Sequence, residues 1–546
     1  MTPGIRRAIA ALNLICCLLV VAAAQNTPED PLLKALQEEL QRSKQGLKLD
    51  GVQPPYFIQY NVSDTDTYVA DSAFGALRSE QRAGARMVRV VVRVGDYRQD
   101  SFFGQGEGVV DIIVRENNVA ALRQQLWWAT DQAYKKAAEA LSAKQAVLKQ
   151  YEVQQAPDDF SRQDPVTQID PLRELDLTRR DWPAVLNSIS GLYRQDPETQ
   201  SFDAWARFVR VNEYIVNTEG TTTRTGYTTY SLRMHGSTQA ADGMRLGASQ
   251  AYVEGQVTDL PTDDKLRSDA VELLATLKAL RSAPLVDDEY RGPVLLSQRA
   301  AWPAIHNLVA ENLLGRRPRP GVPARTTGAF ANSLKSPVLP ESISLLDDPN
   351  QEQFGGRHML GHYVVDGEGV RPSPVHLVEK GVLTNYLMGR HPIRDFPASN
   401  GHGRGSVSSA PGPAIGNLIM SSTSTMSPGD LKKKLLEMCR ARGLPYGYYV
   451  AAMGQRLAPT LLYKVRVADG HEEVVRGAEF AEFDTRSMRT GIVGVGNDFR
   501  VDNVPEPAPY SMVTPSILID ELVVKRTSAT KEKLPSYPAP APSTAK

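Results

Sequence analysis

The stretch RGPVLLSQRAAWPAIHNLVAENLLG, residues 291–315, sets a short apolar run directly before a longer helical pattern. Residues 293–296 predict a strand. Residues 299–314 predict a helix, and Gly315 follows them as a typical helix end. A strand that leads into a helix, in a chain with many other strand patterns, predicts an α+β fold.

Upstream of this stretch, apolar residues at strand spacing predict an antiparallel sheet. The predicted strands cover residues 56–60, 68–77, 87–94, 202–218 and 228–235. Helices are predicted at residues 31–44, 118–150 and 263–281, the last of them capped by Thr262. Together these elements predict an N-terminal domain over residues 25–285, built from an antiparallel sheet with long helices.

Downstream of the stretch, pairs of strands surround tight turns, and the Asp469-Gly470 turn is the clearest hairpin signal. A helix is predicted at residues 430–442, ended by Gly443, and the last strand at residues 516–525. These patterns predict a β-rich C-terminal domain over residues 286–530 that contains the motif helix. The tail, residues 531–546, is rich in Pro, Ala and Ser and is expected to be extended and disordered.

The N-terminus has the order of a secretory signal peptide. Arg6 and Arg7 precede an apolar run at residues 8–21, and three alanines at residues 22–24 supply a cleavage site. The run is shorter than the ~20 residues that a membrane span needs. Residues 1–24 are therefore predicted to be removed, which places the mature chain, without a membrane span, in the periplasm or outside the cell.

Composition excludes several classes of protein. The chain has 62 Lys and Arg against 62 Asp and Glu, so it has no overall charge that would attract nucleic acid. With 41% hydrophobic residues it can build sizeable cores.

Of three cysteines, Cys16 and Cys17 lie in the predicted signal peptide. Cys439 is then alone, which excludes an intrachain disulfide and a cysteine-rich zinc site, so a metal would need His and carboxylate ligands.

The stretch at residues 291–315 resembles the motif helix of the TldD/TldE (PmbA) family. Further stretches carry the same resemblance in the same order: VGDY at 94–97, VNTEG at 216–220, GHYVVDGEG at 361–369 and SNGHGR at 399–404. The resemblance spans about residues 55–525. It implies a fold shared with zinc metallopeptidases, the proteolysis of peptides or unfolded polypeptides, and paired active and inactive subunits.

The motif departs from the family pattern at the positions that perform the chemistry. Active members resemble His-Glu-x-x-x-His, in which both His bind zinc and the Glu is the general base. His306, Asn307 and Glu311 occupy these positions here. An amide cannot accept a proton near neutral pH, so Asn307 cannot serve as the base. The resemblance also implies a Cys as third ligand, but the matching residues 501–510 contain only Asp502 and Glu506 as candidate donors.

The helical spacing itself argues against a metal site. Residues five apart on a regular helix lie about 140° apart, so His306 and Glu311 converge only if the helix is locally widened, as in a π-bulge. The alternative is a helix histidine that packs normally, beside an exposed Glu311. His306 and Glu311 are thus weak candidates for catalytic residues and metal ligands.

Two other segments are candidates for the site. By resemblance, His402 and Arg404, with Asn307, are expected to border the peptide cleft, although an ordinary surface loop would explain the same Gly-rich sequence. Asp366 and Glu368 could be an acid/base pair, but a glycine-dependent turn is the better interpretation of Asp-Gly-Glu-Gly.

The sequence therefore predicts a secreted metallopeptidase-related protein that is a non-catalytic or weakly active subunit, binding peptides or an active TldD-like paralogue. Two alternatives remain. One is a working metal-dependent peptidase with an atypical site of His306, Glu311 and Asp502 or Glu506, and with zinc as cofactor. The other is a stand-alone peptide-binding protein. A homo-oligomer is the alternative to a paralogue partner, and no nucleic acid is expected.

Overall fold

The structure is a computed structural model that describes residues 30–150, 157–454, 456–528 and 531–540. The predicted signal peptide, residues 1–24, lies outside the described residues, as does the end of the predicted tail. None of the helices in the described ranges combines the length and the apolar character that a membrane crossing needs.

The N-terminal part of the chain is built on one seven-stranded sheet. Its strands are β1 Phe57–Ala73, β2 Ala76–Arg93, β3 Val109–Ile112, β4 Thr167–Ile169, β5 Ser201–Asn217, β6 Thr222–Gln239 and β7 Arg245–Glu254. The order is β3-β2-β1-β5-β6-β4, and β7 also pairs with β6. Only the short pairing of β4 with β6 is parallel. This confirms the predicted antiparallel sheet.

One prediction about this sheet is wrong in detail. The segments predicted as three strands at residues 56–60, 68–77 and 87–94 form a single long hairpin that turns at Phe74 and Gly75, both with positive φ. Residues 78–86 were missed because the first half of β2 is exposed on both faces, so its side chains show no apolar alternation.

Four helices cover one face of the N-terminal sheet. They are α1 Pro31–Gly46, α2 Val119–Leu148, α3 Trp182–Ser190 and α4 Asp263–Ser282. Side chains at even positions of the strands, such as Tyr60, Phe208 and Tyr230, are buried beneath these helices. Because side chains alternate along a strand, the odd positions form a second face, and it carries polar residues such as Asn61 and Glu213.

The C-terminal part contains two larger sheets and two strand pairs. Its strands are β8 Glu289–Leu296, β9 Ile343–Asp347, β10 Gln353–Phe354, β11 Arg357–His358, β12 Val375–Glu379, β13 Val382–Leu383, β14 Gly403–Arg404, β15 Gly412–Pro413, β16 Asn417–Ser422, β17 Tyr446–Met453, β18 Pro459–Arg466, β19 Glu472–Val475, β20 Ala478–Ala481, β21 Ile492–Val495, β22 Arg500–Val504, β23 Tyr510–Thr514 and β24 Ile517–Arg526. One sheet has the order β13-β12-β9-β16-β23-β22. The other has the order β19-β18-β17-β8-β24-β20, with β21 also on β24.

Three helices pack with these sheets: α5 Gln298–Leu308, α6 Pro428–Ala441 and α7 Thr485–Gly491. Ala301 and Ile305 of α5 belong to a core that includes residues of both sheets. Helix α6 packs Leu431 and Leu435 against the sheet that contains β8. The hairpin predicted at Asp469-Gly470 is confirmed by the antiparallel pairing of β18 with β19. The fold class, α+β with a β-rich C-terminal part, is thereby confirmed.

The C-terminal part meets the polar face of the N-terminal sheet. Asn61 donates through Nδ2 to the carbonyl of Gly367 at 2.7 Å, and Asn503 donates to the carbonyl of Val253 at 3.0 Å. Helix α4 ends at Ser282 and β8 begins at Glu289, near the predicted boundary; the domain limits themselves stay predictions.

Candidate functional site

The motif helix is shorter than predicted, and the place where it ends decides the geometry of the site. Ser297 caps α5, because its Oγ accepts from the N–H of Ala300 at 3.3 Å. The helix ends at Leu308 rather than at residue 314, since Val309 has φ −119° and ψ −63° and residues 310–313 form a 3-10 turn. Glu311 therefore lies outside the helix.

This helix end brings the two candidate ligands near each other without a π-bulge. Glu311 Oε1 lies 3.8 Å from His306 Nε2. However, Arg316 donates to Glu311 Oε2 at 3.1 Å, so the carboxylate already has a positive partner. The sequence predicted that His306 and Glu311 would meet only if the helix were widened. They meet here because the helix ends between them.

His306 is held as part of an aromatic stack. Its ring lies between those of Trp302 and Tyr510, with centroids at 5.6 and 5.9 Å and nearly parallel planes. Its Nδ1 lies 3.3 Å from Asn307 Oδ1, within hydrogen-bond distance. Burial and the nearby Glu311 charge raise the pKa of Tyr510, so its hydroxyl stays neutral. The imidazole ring of His306 is thus positioned by packing.

The two carboxylates offered by residues 501–510 are engaged elsewhere. Asp502 lies 3.0 Å from Arg500, and burial raises the pKa of its carboxyl. Glu506 is paired with Arg207 at 2.7 Å. In the described ranges, no group of three or more His, Cys, Asp or Glu side chains is arranged to hold a metal ion. A catalytic zinc commonly has three protein ligands, so the donors around His306 do not fit zinc.

His402 is fully buried and structural in its contacts. Its Nε2 lies 3.2 Å from Asp347 Oδ1, and its Nδ1 lies 3.0 Å from Asn400 Oδ1. Asp347 is equally buried and also accepts from the N–H groups of Gly416 and Asn417. The predicted cleft residue is therefore a link between loops of the C-terminal part, and not an exposed side chain.

Arg404, in contrast, faces a cavity. The cavity measures about 150 Å³ and lies between the polar face of the N-terminal sheet and C-terminal loops. Arg404 donates to the carbonyl of Ile415 at 2.7 Å, and its guanidinium lies 4.3 Å from the centre of the Tyr363 ring. Pro509 also lines the cavity. Pro509 directly precedes Tyr510, which stacks on His306, but no residue of α5 lines the cavity.

The Asp366-Gly-Glu-Gly segment forms the predicted turn, but both of its carboxyls are buried. Asp366 accepts from the N–H groups of Glu368, Val370 and Gly403. Burial and the charge of Glu368 raise the pKa of Asp366 to about 7. A side chain at Gly403 would overlap Glu368 Oε2. The pair is tightly enclosed, which favours a structural over a catalytic role.

Sequence reasoning missed the site residues of the N-terminal sheet. Glu213 of β5 and Tyr227 of β6 line the cavity, although each lies in a strand that would ordinarily direct polar residues to solvent. The sequence signal was the row of polar residues at alternate positions of these strands. The C-terminal part covers the face that carries them.

Comparison with known proteins gives one family match. Residues 289–526 match the PmbA/TldA metallopeptidase C-terminal domain. A metalloprotease of Methanothermobacter thermautotrophicus is 27% identical over 172 residues, which cover 30% of this chain. The chain matches only 35% of that relative's length.

Solved structures share the fold over most of the chain. A proposed modulator of a DNA gyrase from Thermotoga maritima has a TM-score of 0.60 at 15% identity, covering 90% of this chain and 99% of its own. TldE from Thermococcus kodakarensis has a TM-score of 0.59 at 12% identity, with the same coverage. A proposed modulator of DNA gyrase from Bacteroides thetaiotaomicron has a TM-score of 0.56 at 13% identity, covering 90% and 98%.

Proposed function

The chain is a member of the TldD/TldE (PmbA) family, and on that premise we propose that it binds polypeptide without hydrolysing it. The observation that carries this proposal is the pairing of Glu311 with Arg316 at 3.1 Å beside a stacked His306. The carboxylate that approaches the histidine thus already has a cation as its ion-pair partner.

The chemistry of the remaining residues supports the same proposal. Peptide hydrolysis by this family would need a bound metal, which activates water, and a group that takes the proton from that water. Asn307 stands where the base would be, and its amide has no basic lone pair. Since the donor set does not fit zinc, these residues support no metal-dependent hydrolytic step.

The second candidate function is a metal-dependent peptidase with a His and carboxylate site. The 3.8 Å approach of Glu311 to His306 favours it. Stoichiometric zinc separates the two functions. In the first case the isolated mature protein holds little zinc after dialysis, whereas in the second it holds about one zinc per chain.

The experiment combines metal analysis with two assays on the same mature protein. Unfolded casein is tested for cleavage, and fluorescently labelled peptides are tested for binding. We expect binding, no cleavage, and zinc well below one per chain. Cleavage that a chelator abolishes and zinc restores would sink the non-catalytic proposal in favour of the peptidase.

We further propose that the protein works with a partner. The candidate partners are a TldD-like paralogue that has the intact His-Glu-x-x-x-His motif, and a second copy of this chain. Co-purification from the native source distinguishes them from each other and from a stand-alone binding protein. Recovery of the chain as a monomer, with no paralogue, would leave the stand-alone function.

Export completes the proposed function. The charged, apolar and small-residue order of residues 1–24 supports cleavage after Ala24 and a location in the periplasm or outside the cell. The intact mass of exported protein should then correspond to a chain that begins at Gln25. Full-length protein in the cytoplasm would overturn this assignment.

A further inference from the structure

Two side chains of the N-terminal sheet enter the cavity next to each other. In the register of β5 and β6, Val211 pairs with Tyr227 and Glu213 pairs with Thr225. Glu213 and Tyr227 are therefore diagonal neighbours on one face, within reach of each other's side chains. Both line the cavity opposite Arg404 and Tyr363.

Most polar groups in the cavity wall already have partners. Tyr363 donates to the carbonyl of Gly401 at 2.8 Å, and Arg89 donates to the carbonyl of Val407 at 3.0 Å. Asp366 accepts from three backbone N–H groups. These hydrogen bonds fix the groups in the wall of the cavity.

Glu213 and Tyr227 differ from these groups. Within the part of the chain that the structure describes, neither the Glu213 carboxyl nor the Tyr227 hydroxyl has a hydrogen-bond partner. Burial raises the pKa of Glu213, and the charge of Arg404 opposes that rise only in part. A half-buried acceptor without a protein donor is open to the cavity, where a donor of a ligand can bind it.

The opposite wall offers a complementary group. The Arg404 guanidinium is held against the Tyr363 ring and uses one N–H for the carbonyl of Ile415. Its remaining N–H groups can donate to an oxygen in the cavity. The cavity thus combines the Glu213 carboxyl, which can accept a hydrogen bond, with the Arg404 guanidinium, which can donate one. A polypeptide supplies both when a cationic nitrogen lies near one of its carbonyl groups.

Resting on the proposed function, we propose that this cavity is a subsite for a cationic nitrogen of the bound polypeptide. Glu213 is its acceptor, Tyr227 adds a hydroxyl and a ring face, and Arg404 binds a neighbouring carbonyl oxygen. The nitrogen belongs to a Lys or Arg side chain or to the N-terminal ammonium of the peptide, since both supply the same chemistry.

The test compares three labelled pentapeptides on the mature protein at neutral pH. One is acetylated and amidated with a central lysine between glycines. The second has norleucine in place of lysine, and the third has norleucine with a free N-terminus. We expect one cationic peptide to bind at least about tenfold more tightly than the acetylated norleucine peptide. Which cationic peptide does so identifies the source of the nitrogen.

Two variants of cavity residues and one surface control test whether the preference for a cationic peptide arises in the cavity. Glu213→Gln should abolish it, and a circular dichroism spectrum identical to that of the wild-type protein shows that the variant is folded. Glu272→Gln removes the same charge from the exposed surface of α4 and should keep the preference. Tyr227→Phe, which retains the ring, should reduce the preference several-fold without abolishing it.

The outcomes separate this inference from the function on which it rests. Equal binding of all three peptides, or a preference that survives in Glu213→Gln, overturns the cationic subsite and leaves peptide binding intact. If Glu213→Gln binds no peptide, Tyr227→Phe decides, and an unchanged preference there overturns the inference. Failure of the wild-type protein to bind any peptide overturns both proposals.

Discussion

Single residues around α5 form an ion pair and an aromatic stack with one another. Glu311 is paired with Arg316, and His306 is enclosed by Trp302 and Tyr510. A single substitution there changes one group and leaves the others in their present pairings. Catalytic groups that act together give strongly non-additive effects, so restoring one of them restores little.

Two single substitutions test this interdependence. Asn307→Glu supplies a base but no ligand, and Glu311→His supplies a ligand but no base. We expect neither variant to cleave unfolded casein in the presence of zinc. The combined variant, with a Cys added in residues 501–510, has the better prospect of activity. Zinc-dependent cleavage by Asn307→Glu alone would mean that a complete metal site already exists.

The buried carboxyls of Asp366 and Glu368 should make stability depend on pH. The folded protein raises the pKa of Asp366 from 3.8 to about 7. Between these values the folded state binds a proton that the unfolded state has released. The free energy of unfolding must therefore fall as the pH rises through this interval. Burial also raises the pKa of Glu368, which adds to the same fall.

Glu368→Gln should flatten this dependence. It removes one titrating group and the negative charge that raises the pKa of Asp366, while its amide oxygen can still accept from the N–H of Arg390, as Glu368 Oε2 does at 2.6 Å. Urea unfolding at a series of pH values measures the slope. Glu272→Gln is the matched exposed control and should keep the wild-type slope. An identical slope in both variants would contradict the assignment.

Among the helices and strands, α1 depends most clearly on one residue. Asp30 Oδ1 caps the helix by accepting from the N–H groups of Leu32 and Leu33. Its Oδ2 accepts from the Tyr214 hydroxyl at 3.1 Å and from Arg224 at 2.7 Å. One carboxylate thus caps the N-terminus of the helix and links it to β5 and β6.

Asp30→Ala should lower the free energy of unfolding by about 2–4 kcal/mol, since it removes a helix cap and leaves a largely buried Arg224 unpaired. Urea unfolding monitored by circular dichroism measures the loss. Asp50→Ala, at an exposed turn, is the control and should change stability by less than about 0.5 kcal/mol. Equal effects of the two substitutions would show that the cap and the ion pair contribute nothing.

At the scale of the whole molecule, buried charges join the two parts of the chain. Arg390, from a C-terminal loop, is 1% exposed and donates to the carbonyl of Ser161 at 2.6 Å. It also forms an ion pair with Glu219 at 2.8 Å and lies 3.9 Å from the centre of the Phe160 ring. The parts therefore share polar contacts that neither part could satisfy alone.

Arg390→Met should lower the free energy of unfolding by about 3–5 kcal/mol, because it leaves Glu219 without its charged partner. Since the contact spans both parts, calorimetry should show two separated transitions in the variant and one in the wild-type protein. Arg291→Met, which removes an exposed ion pair with Glu521, should have little effect. A wild-type melting curve for Arg390→Met would refute this coupling.

The sequence by itself determined the helices and turns that have strong local signals. It also determined that the motif helix lacks the general base. Thr262 and Ser282 bound α4 close to the predicted helix, and the Asp469-Gly470 hairpin was readable because turn geometry depends on adjacent residues. The inability of Asn307 to act as a base is a property of the amide group, so it follows from residue type in any fold.

Only the tertiary structure decided which side chains meet. Tyr510 stacks on His306, and Glu213 enters the same cavity as Arg404, although these residues lie in distant parts of the chain. The residues that follow the early end of α5 at Leu308, Val309, Ala310 and Leu313, are likewise buried in the core that both C-terminal sheets share. Local patterns encode helix and strand periods, whereas burial and pairing across the polar face arise from long-range packing, which no short stretch of sequence contains.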